Sequence, residues 1–389
     1  MGAADFSERL LGRRQAAVET GRLVAPARRR AAALALQAVG AFAAARLIGL
    51  GALLVVGTAQ GKQPANLIVA ADGPWYGLVT EEGYYRIWTT PASRFAIAFF
   101  PGYPALTRPL LGLGFPLAGM IVTLLSGAVA AALIALLVGR FADGRTAVLS
   151  AGLWSAQPAA FVLDHTYSEA TFTAFVAASL LALAGRRWVL AGLFAAAAGA
   201  TRSTGLALAF ACLVAALVAV RHDRRALWAP VLAPLGTLGY WAFLSSLTGQ
   251  PDAWFKIELL WKVHIDWGQG NIAWTQRLPG VGGYPAMQLW LVPVMIGLVA
   301  LGVLLGLLDR LPPELPAFVL GLLALALLST GAYSSIPRLL MSAFPAFVPY
   351  ASRLSRWPML GGSVWMLSAV VMAAYELVWF VVKPPGFAP

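Results

Sequence analysis

The chain has 389 residues, 60% of them hydrophobic and only 11% charged, whereas soluble domains are about 45–50% apolar and about 25% charged. Because the apolar residues recur in segment after segment, this composition excludes both a soluble globular protein and a soluble enzyme with a single membrane anchor. The net charge of +12 comes mainly from arginines clustered between apolar runs, a pattern that indicates membrane topology rather than nucleic-acid binding.

Residues 1–30 form a basic segment, and the first apolar run extends from Ala31 to about Gly57. That run is longer than the roughly 7–15 residues of a cleaved signal-peptide core. We therefore predict a retained first helix, with residues 1–30 on the cytoplasmic side. The arginines of this segment are Arg9, Arg13, Arg14, Arg22, Arg28, Arg29 and Arg30.

Ten further apolar stretches are long enough to span, or nearly span, a membrane. They lie at about 116–140, 147–163, 168–185, 187–201, 204–220, 227–248, 286–308, 315–332, 337–351 and 360–382. With the first run they predict an all-α polytopic membrane protein of about eleven transmembrane helices, within about two. Without a repeat or low-complexity linker, residues 31–389 form a single predicted membrane domain.

The charged loops give this predicted topology an orientation. From a cytoplasmic N-terminus, every short arginine-rich loop falls on the cytoplasmic side, as the positive-inside rule requires. Two long loops, about 58–115 and 249–285, then lie outside, together with short turns near Asp164, Arg202 and Arg338. The cytoplasmic set comprises Arg140, Arg145, Arg186, Arg187, Arg221, Arg224, Arg225, Arg310, Arg353 and Arg356.

The first outer loop is where chemistry is most expected. Asp72 precedes Pro74, which suits the first turn of a helix, and Gly83 is a suitable C-cap. Between them, apolar and acidic side chains recur at helical spacing, so an amphipathic helix at the membrane interface is predicted. Asp72 could be only the N-cap of that helix, but a cap at this point would still direct a carboxylate along the membrane surface. The residues at helical spacing are Trp75, Leu78, Val79 and Glu82.

Five short motifs occur in a fixed order along the chain. They are Asp72-Gly73-Pro74-Trp75-Tyr76 with Gly83-Tyr84, Phe99-Phe100-Pro101-Gly102-Tyr103-Pro104, Tyr167-Ser168-Glu169, Thr201-Arg202-Ser203-Thr204-Gly205, and Pro337-Arg338 before Phe344-Pro345. In order and spacing, over about residues 35–350, the chain resembles the PIG-V-like mannosyltransferases, a branch of the multi-span GT-C glycosyltransferases. It departs from that pattern at Ala71, where the family usually has Trp, and at Gly102, where a bulkier apolar residue is common.

The resemblance implies a GT-C-like fold and the transfer of mannose, with inversion, from polyprenyl-phosphate-mannose to a hydroxyl of a glycolipid, lipoglycan or similar acceptor. Asp72 would be the general base, because a hydroxyl attacking an anomeric carbon must lose its proton. Arg202 and Arg338 would bind the donor phosphate, helped by Ser203 and Thr204, since arginine is otherwise disfavoured in outer turns. Snorkelling of either arginine, or an ion pair with an acidic neighbour, is the alternative.

Polar and aromatic residues of the outer loops are candidates for contacts with the acceptor or the sugar. These are Trp75, Tyr76, Tyr103, Asp164, His165, Glu169 and Trp261. Glu169 could equally be a first-turn helix acid. The tryptophans of the second outer loop, about seven residues apart, could form an interfacial aromatic belt or a platform for the acceptor or the donor head group. With three histidines and no tight His/Cys spacing, no metal or other cofactor is predicted, although a divalent cation on carboxylates stays an alternative.

Other functions fit part of the pattern. A transporter or flippase of lipid-linked saccharides would explain many spans and embedded arginines, but it predicts internal repeats. A non-catalytic partner of a glycosyltransferase predicts no sugar transfer by the purified chain. Within the enzyme class, glucose, galactose or arabinose could replace mannose. The abundant Arg and Ala favour a bacterial source, and hence a plasma-membrane protein. The predicted topology places its active site on the extracytoplasmic face, and the clustering of arginines between apolar runs predicts no nucleic-acid partner.

Overall fold

The computed structural model describes residues 3–331 and 333–382, and it is 82% helical. The first half of the chain contains α1 (Ala3–Ala59), α2 (Pro64–Ile68), α3 (Gly73–Thr89), α4 (Gly102–Thr107), α5 (Phe115–Val138), α6 (Gly144–Ala156), α7 (Glu169–Ala184), α8 (Trp188–Gly199) and α9 (Gly205–Ala219). The second half contains α10 (Trp228–Leu232), α11 (Leu235–Thr248), α12 (Ala253–Leu260), α13 (Gln269–Arg277), α14 (Gly283–Leu308), α15 (Glu314–Leu327), α16 (Ile336–Leu339), α17 (Val348–Leu354) and α18 (Pro358–Leu377). The two short strands are β1 (His264–Ile265) and β2 (Ser329–Thr330).

Among the described residues, five helical segments are long and apolar enough to cross a membrane. A sixth results if α6 and the 3₁₀ segment Pro158–Asp164, which meet at a bend of 76°, form one span. The helical, membrane-protein character expected from the composition is thus supported. The five segments are Arg28–Ala59, Phe115–Val138, Arg224–Thr248, Ala286–Leu308 and Pro358–Val381.

The predicted number of eleven spans is not reproduced. Four apolar helices, α7, α8, α9 and α15, match predicted stretches but have only 12 to 16 residues, whereas a span usually needs about 20. The stretch predicted at 337–351 is not one helix. It is broken into α16, two 3₁₀ turns and α17, because Pro337, Pro345 and Pro349 each lack the backbone N–H that a continuous helix needs.

The amphipathic helix predicted after Asp72 is present as α3. At Gly83, where we expected the helix to end, φ is 75° and ψ is 162°, but a second helical stretch continues directly to Thr89. Glycine reaches this conformation without the steric cost that a side chain would add. The helix is therefore kinked at Gly83 rather than terminated there.

Small residues let the central helices approach closely, as is common in membrane proteins. Helix α5 packs against α1 and α7, and α7 packs against α8. On the outside, large apolar side chains are left uncovered, for example Leu47 (77% exposed), Leu125 (64%) and Leu217 (62%). A hydrocarbon phase would cover this surface, in agreement with the membrane composition.

The loops gather at two ends of the helices. At one end, Arg353 bonds to Asp309 and the indole of Trp188 donates to Asp223 at 2.7 Å, so loops predicted to be cytoplasmic lie side by side. At the other end, Arg338 contacts Asp72 and Arg202 contacts Glu169. These contacts agree with the prediction that the loops form two groups, one at each end of the helices. Which side of the membrane each end faces stays a prediction.

Helices α8 and α11 pack so closely that the position of Gly236 requires a residue without a side chain, which can be tested. A Cβ atom at Gly236 would collide with the carbonyl oxygen of Ala196 and lie 2.6 Å from the backbone nitrogen of Ala200. Gly236→Ala should therefore lower the free energy of unfolding by about 1–3 kcal/mol, the usual cost of overpacking. Thermal unfolding of the purified protein in detergent measures the effect.

Gly239 on the same helix is the matched control, because a Cβ atom there meets nothing within 4 Å. Gly239→Ala should leave the stability unchanged or raise it slightly, since alanine favours a helix. Equal unfolding temperatures for the two variants would contradict the packing of α8 on α11.

Candidate functional site

The carboxylate of Asp72 is held by tertiary contacts and not by its own helix. Asp72 occupies the N-cap position of α3, but within the described residues its side chain makes no capping hydrogen bond. Instead it forms an ion pair with Arg338, 266 residues further along the chain. Its backbone N–H donates to the phenol oxygen of Tyr167 at 3.1 Å. The simple capping role is therefore not what positions this carboxylate.

Arg338 lies on the short helix α16 and contacts two acids at once. Besides its ion pair with Asp72, its Nε is 3.5 Å from Oε1 of Glu169. Its guanidinium also lies over the ring of Tyr167, 5.4 Å from the ring centre, in a cation–π contact. The Arg338 and Asp72 side chains are 22% and 23% exposed, so both can still be reached from outside the protein.

Glu169 links this pair to a second arginine. It is the first residue of α7, its side chain is only 3% exposed, and its Oε1 is 2.7 Å from Nη1 of Arg202. The same Nη1 donates to the hydroxyl of Ser168 at 3.0 Å, and that hydroxyl is 2.6 Å from the phenol oxygen of Tyr76. Glu169 is thus more than a first-turn acid, because it bridges the guanidiniums of Arg202 and Arg338. We call Asp72, Glu169, Arg202 and Arg338 the four-charge cluster.

An aromatic layer lies beside the four-charge cluster. The ring of Tyr76 packs edge-on against Phe99 at 4.8 Å and Tyr103 at 5.1 Å. Burial raises the pKa of Tyr76, so its phenol stays protonated at neutral pH. Tyr103 is fully buried and donates to the carbonyl of Gly119 at 2.9 Å. The sugar contacts predicted for Tyr76 and Tyr103 do not agree with this burial, and both side chains instead support the cluster from within.

Gly102 allows the first outer loop to reach the turn that carries Arg202. Its N–H donates to the carbonyl of Ala200 at 2.8 Å. A Cβ atom at this position would lie 2.8 Å from Cα of Thr201 and 3.0 Å from the same carbonyl. The departure from the family pattern at Gly102 therefore has a local reason, since a side chain would push the two segments apart.

The two hydroxyl residues after Arg202 have less defined surroundings. Thr204 is only 8% exposed and precedes α9, yet within the described residues its side chain makes no capping hydrogen bond. A Cβ atom at Gly205 would lie 2.6 Å from the backbone nitrogen of Gly199, so α9 begins in close contact with α8. A phosphate contact of Ser203 and Thr204 stays a prediction.

Asp164 and His165, predicted to face the acceptor, are instead fully buried. Asp164 lies 2.7 Å from the guanidinium of Arg46, and Nε2 of His165 lies 3.2 Å from Glu376. The other ring nitrogen of His165 is 3.0 Å from the carbonyl of Leu67. This buried quartet of Arg46, Asp164, His165 and Glu376 ties α1 and α18 to the segment before α7. Neither side chain is exposed to an acceptor in this arrangement, so the predicted acceptor contacts of Asp164 and His165 do not agree with their burial.

A cavity of about 30 Å³ opens beside Asp72 and Arg338. That volume is far below the roughly 300–1,000 Å³ that is usual for ligand pockets, so a sugar could enter only after the surrounding segments move apart. Its polar lining includes four side chains that the sequence analysis did not assign to the site: Tyr167, Gln288, Ser334 and Ser335. Tyr167 belonged to a recognised motif, and Gln288 stands out as a lone amide in an apolar stretch, so both had a detectable signal.

The second outer loop packs on the first through Trp261. The indole of Trp261 donates to the carbonyl of Phe95 at 3.0 Å and meets the ring of Trp75 edge-on at 5.7 Å. Trp75 and Trp261, predicted as sugar contacts, thus contact each other. Neither is among the residues that line the 30 Å³ cavity. The structure assigns them to the contact between the two loops.

The same loop is also fastened to the segment that leads to Arg338. Strand β1 pairs antiparallel with β2, with His264 opposite Thr330. The amide of Asn271 donates to the carbonyls of Leu327 and Ser329, both at 2.9 Å. The loop thus lies against the chain immediately before α16.

The other tryptophans of this loop have different surroundings. Trp254 packs against Trp241 at 5.3 Å, Trp274 stacks on Tyr333 at 6.1 Å, and Trp267 is 76% exposed. The predicted aromatic belt at the membrane interface fits the exposed Trp267, whereas Trp254 and Trp274 pack against other rings and hold the loop in place.

Comparisons with known proteins do not identify the chain. No protein-family model and no curated protein matches it. Among the residues that the structure describes, no group of three or more His, Cys, Asp or Glu side chains is arranged to hold a metal ion. The resemblance to PIG-V-like enzymes therefore depends on the five motifs. Four of these motifs each contribute one residue to the four-charge cluster.

The buried quartet predicts an unusually large loss of stability when one partner is removed. Arg46→Leu leaves Asp164 buried without its cation, and breaking a buried ion pair typically costs about 3–5 kcal/mol. Thermal unfolding in detergent should show this loss directly. Arg86→Leu is the control, because Arg86 is 75% exposed and its ion pair among the described residues is with Glu82 on its own helix, an interaction worth about 0.5 kcal/mol. A similar small loss for both variants would mean that the quartet does not stabilise the fold.

Proposed function

We propose that this chain is a membrane glycosyltransferase that transfers mannose, with inversion, from polyprenyl-phosphate-mannose to a hydroxyl of a glycolipid, lipoglycan or similar acceptor. The observation that carries the proposal is the placement of the Asp72 carboxylate. This carboxylate does not cap α3 but forms an ion pair with Arg338, next to the Glu169–Arg202 pair. A general base beside cations suited to a phosphate leaving group is what this reaction requires.

In the proposed reaction, Asp72 accepts the proton of the acceptor hydroxyl as its oxygen attacks the anomeric carbon. The bond between that carbon and the phosphate oxygen breaks, and its electron pair leaves with the polyprenyl phosphate. One carboxylate is enough because the donor already carries an activated leaving group, unlike the substrates of most glycoside hydrolases, whose hydrolysis uses a pair of acids. No metal is required in this scheme.

The ion pair between Asp72 and Arg338 is the state of the proposed site before the donor binds. In this ion pair the Arg338 guanidinium occupies the Asp72 carboxylate, which is therefore not free to receive the proton of an acceptor hydroxyl. When the donor phosphate enters, it competes for the Arg338 guanidinium, and Asp72 is released to accept a proton. Donor binding would in this way both supply the substrate and activate the base.

Glu169 keeps the two arginines close together in the absence of a donor. Two guanidiniums without an acid between them would repel each other. Because Glu169 is nearly buried and contacts both arginines, it would hold them ready for the phosphate. Its proposed role is to position the cations, and not to contact the acceptor.

The remaining features of the proposal concern the membrane. We propose a GT-C-like fold with about eleven spans, the N-terminus in the cytoplasm and the four-charge cluster on the extracytoplasmic face of a bacterial plasma membrane. The short helices α7, α8, α9 and α15 would complete the span count where the bilayer thins around them or flanking side chains snorkel to the interface. The polyprenyl chain would lie along the exposed apolar side of the helices.

Replacing the proposed base tests the reaction directly. Asp72→Asn keeps the size of the side chain but cannot accept the proton, so the rate of mannose transfer should fall by roughly 10²–10⁴-fold. The measurement is transfer from labelled polyprenyl-phosphate-mannose to an endogenous membrane acceptor. Glu81→Gln is the matched control, because Glu81 lies exposed on the same helix and should keep full activity. Full transfer by Asp72→Asn would refute the assigned role.

Removing the proposed phosphate ligand should mainly weaken donor binding. Arg338→Gln should raise the KM for the donor by at least about tenfold, because a charge-assisted hydrogen bond is worth about 1.5–3 kcal/mol. Arg277→Gln, on the exposed part of the second outer loop, should leave the KM unchanged. An unchanged KM for Arg338→Gln, in protein with the wild-type unfolding temperature, would argue against a phosphate at Arg338.

A further inference from the structure

A second cavity lies at the opposite end of the helices from the four-charge cluster. Its volume is about 260 Å³, close to the lower limit of the 300–1,000 Å³ that is usual for ligand pockets. Its polar lining comes from Asp309, at the end of α14, and from Ser352, Arg353 and Arg356 in and after α17. We call this cavity the basic pocket.

The charges of the basic pocket leave one cation in excess. Asp309 is bound by Arg353 through two hydrogen bonds, Nη1 to Oδ2 at 2.7 Å and Nη2 to Oδ1 at 3.0 Å. These bonds, together with the charge of Arg356, lower the pKa of Asp309, so it remains a carboxylate at neutral pH. One acid therefore faces two guanidiniums, and an anion is the ligand that would balance the pocket.

The walls of the basic pocket are apolar. Phe141, Leu311 and Val348 line it, and the last turn of α14 leads directly into it. That turn leaves Leu307 54% exposed and Leu308 69% exposed, a surface that suits hydrocarbon rather than water. The pocket thus lies where an exposed apolar helix surface meets positive charge, a pattern that is typical of the level of lipid head groups.

We propose that the basic pocket binds the phosphate of an anionic phospholipid, with Arg353 and Arg356 donating to the phosphate and the acyl chains lying against the exposed leucines of α14. Basic pockets between transmembrane helices bind anionic head groups in this way. A soluble phosphate would satisfy the guanidiniums but would leave the apolar walls and Leu308 uncovered. The site is independent of sugar transfer, and its occupant would connect the α5–α6 loop, the α14–α15 loop and α17.

Native mass spectrometry of the full chain in detergent, titrated with phosphatidylglycerol or phosphatidylcholine, tests the proposal. The wild type should bind phosphatidylglycerol in preference to phosphatidylcholine. Arg356→Gln should weaken phosphatidylglycerol binding roughly fivefold, the effect of one arginine near a lipid surface, and should leave phosphatidylcholine binding unchanged. Arg221→Gln, an exposed arginine in another loop, is the matched control and should bind both lipids as the wild type does.

Three results would overturn the proposal. Equal binding of the two lipids would remove the anion preference, and an equal loss in Arg221→Gln would mean only a diffuse effect of charge. Displacement of phosphatidylglycerol by millimolar inorganic phosphate would identify a phosphate site instead of a lipid site. Arg353→Gln serves as a second variant, in which Asp309 is left facing the ligand, so its loss should exceed that of Arg356→Gln.

Discussion

The ion pair between Asp72 and Arg338 is the contact on which the rest of the site depends. It joins the first outer loop to a segment 266 residues later, and Glu169 extends it to Arg202. Four charged side chains from four separate parts of the chain are thereby neutralised in pairs. Because Glu169 is nearly buried and Arg202 is largely buried, leaving either of these two unpaired would cost more than an exposed ion pair contributes.

The surrounding fold is arranged to bring those four parts together. The glycine at position 102 lets one loop touch the turn before Arg202, and the phenol of Tyr167 receives the backbone N–H of Asp72. Beneath them, the buried quartet fixes α1 and α18 to the segment that ends at Glu169. The cluster is therefore supported from the protein interior, while Asp72 and Arg338 keep partial access to the outside.

Much of this architecture could be predicted from the sequence. Hydropathy located most helices to within a few residues, and the short motifs singled out four charged residues that lie together in the structure, Asp72, Glu169, Arg202 and Arg338. Prediction from the sequence failed where the burial of a side chain decides its role. Asp164 and His165 look like outer-turn residues, yet their partners Arg46 and Glu376 lie in the first and last spans, and pairing over such distances leaves no local pattern. Likewise, three prolines broke the stretch at 337–351, which hydropathy alone presents as continuous.

The short ladder between β1 and β2 constrains how the site can open. The second outer loop is hydrogen-bonded to residues 329 and 330, so it limits how far the segment that leads to Arg338 can shift. A displacement of this loop would therefore pull on the segment that carries Arg338. The β1–β2 pairing thus links a loop that is remote from Asp72 in sequence to the partner of its carboxylate.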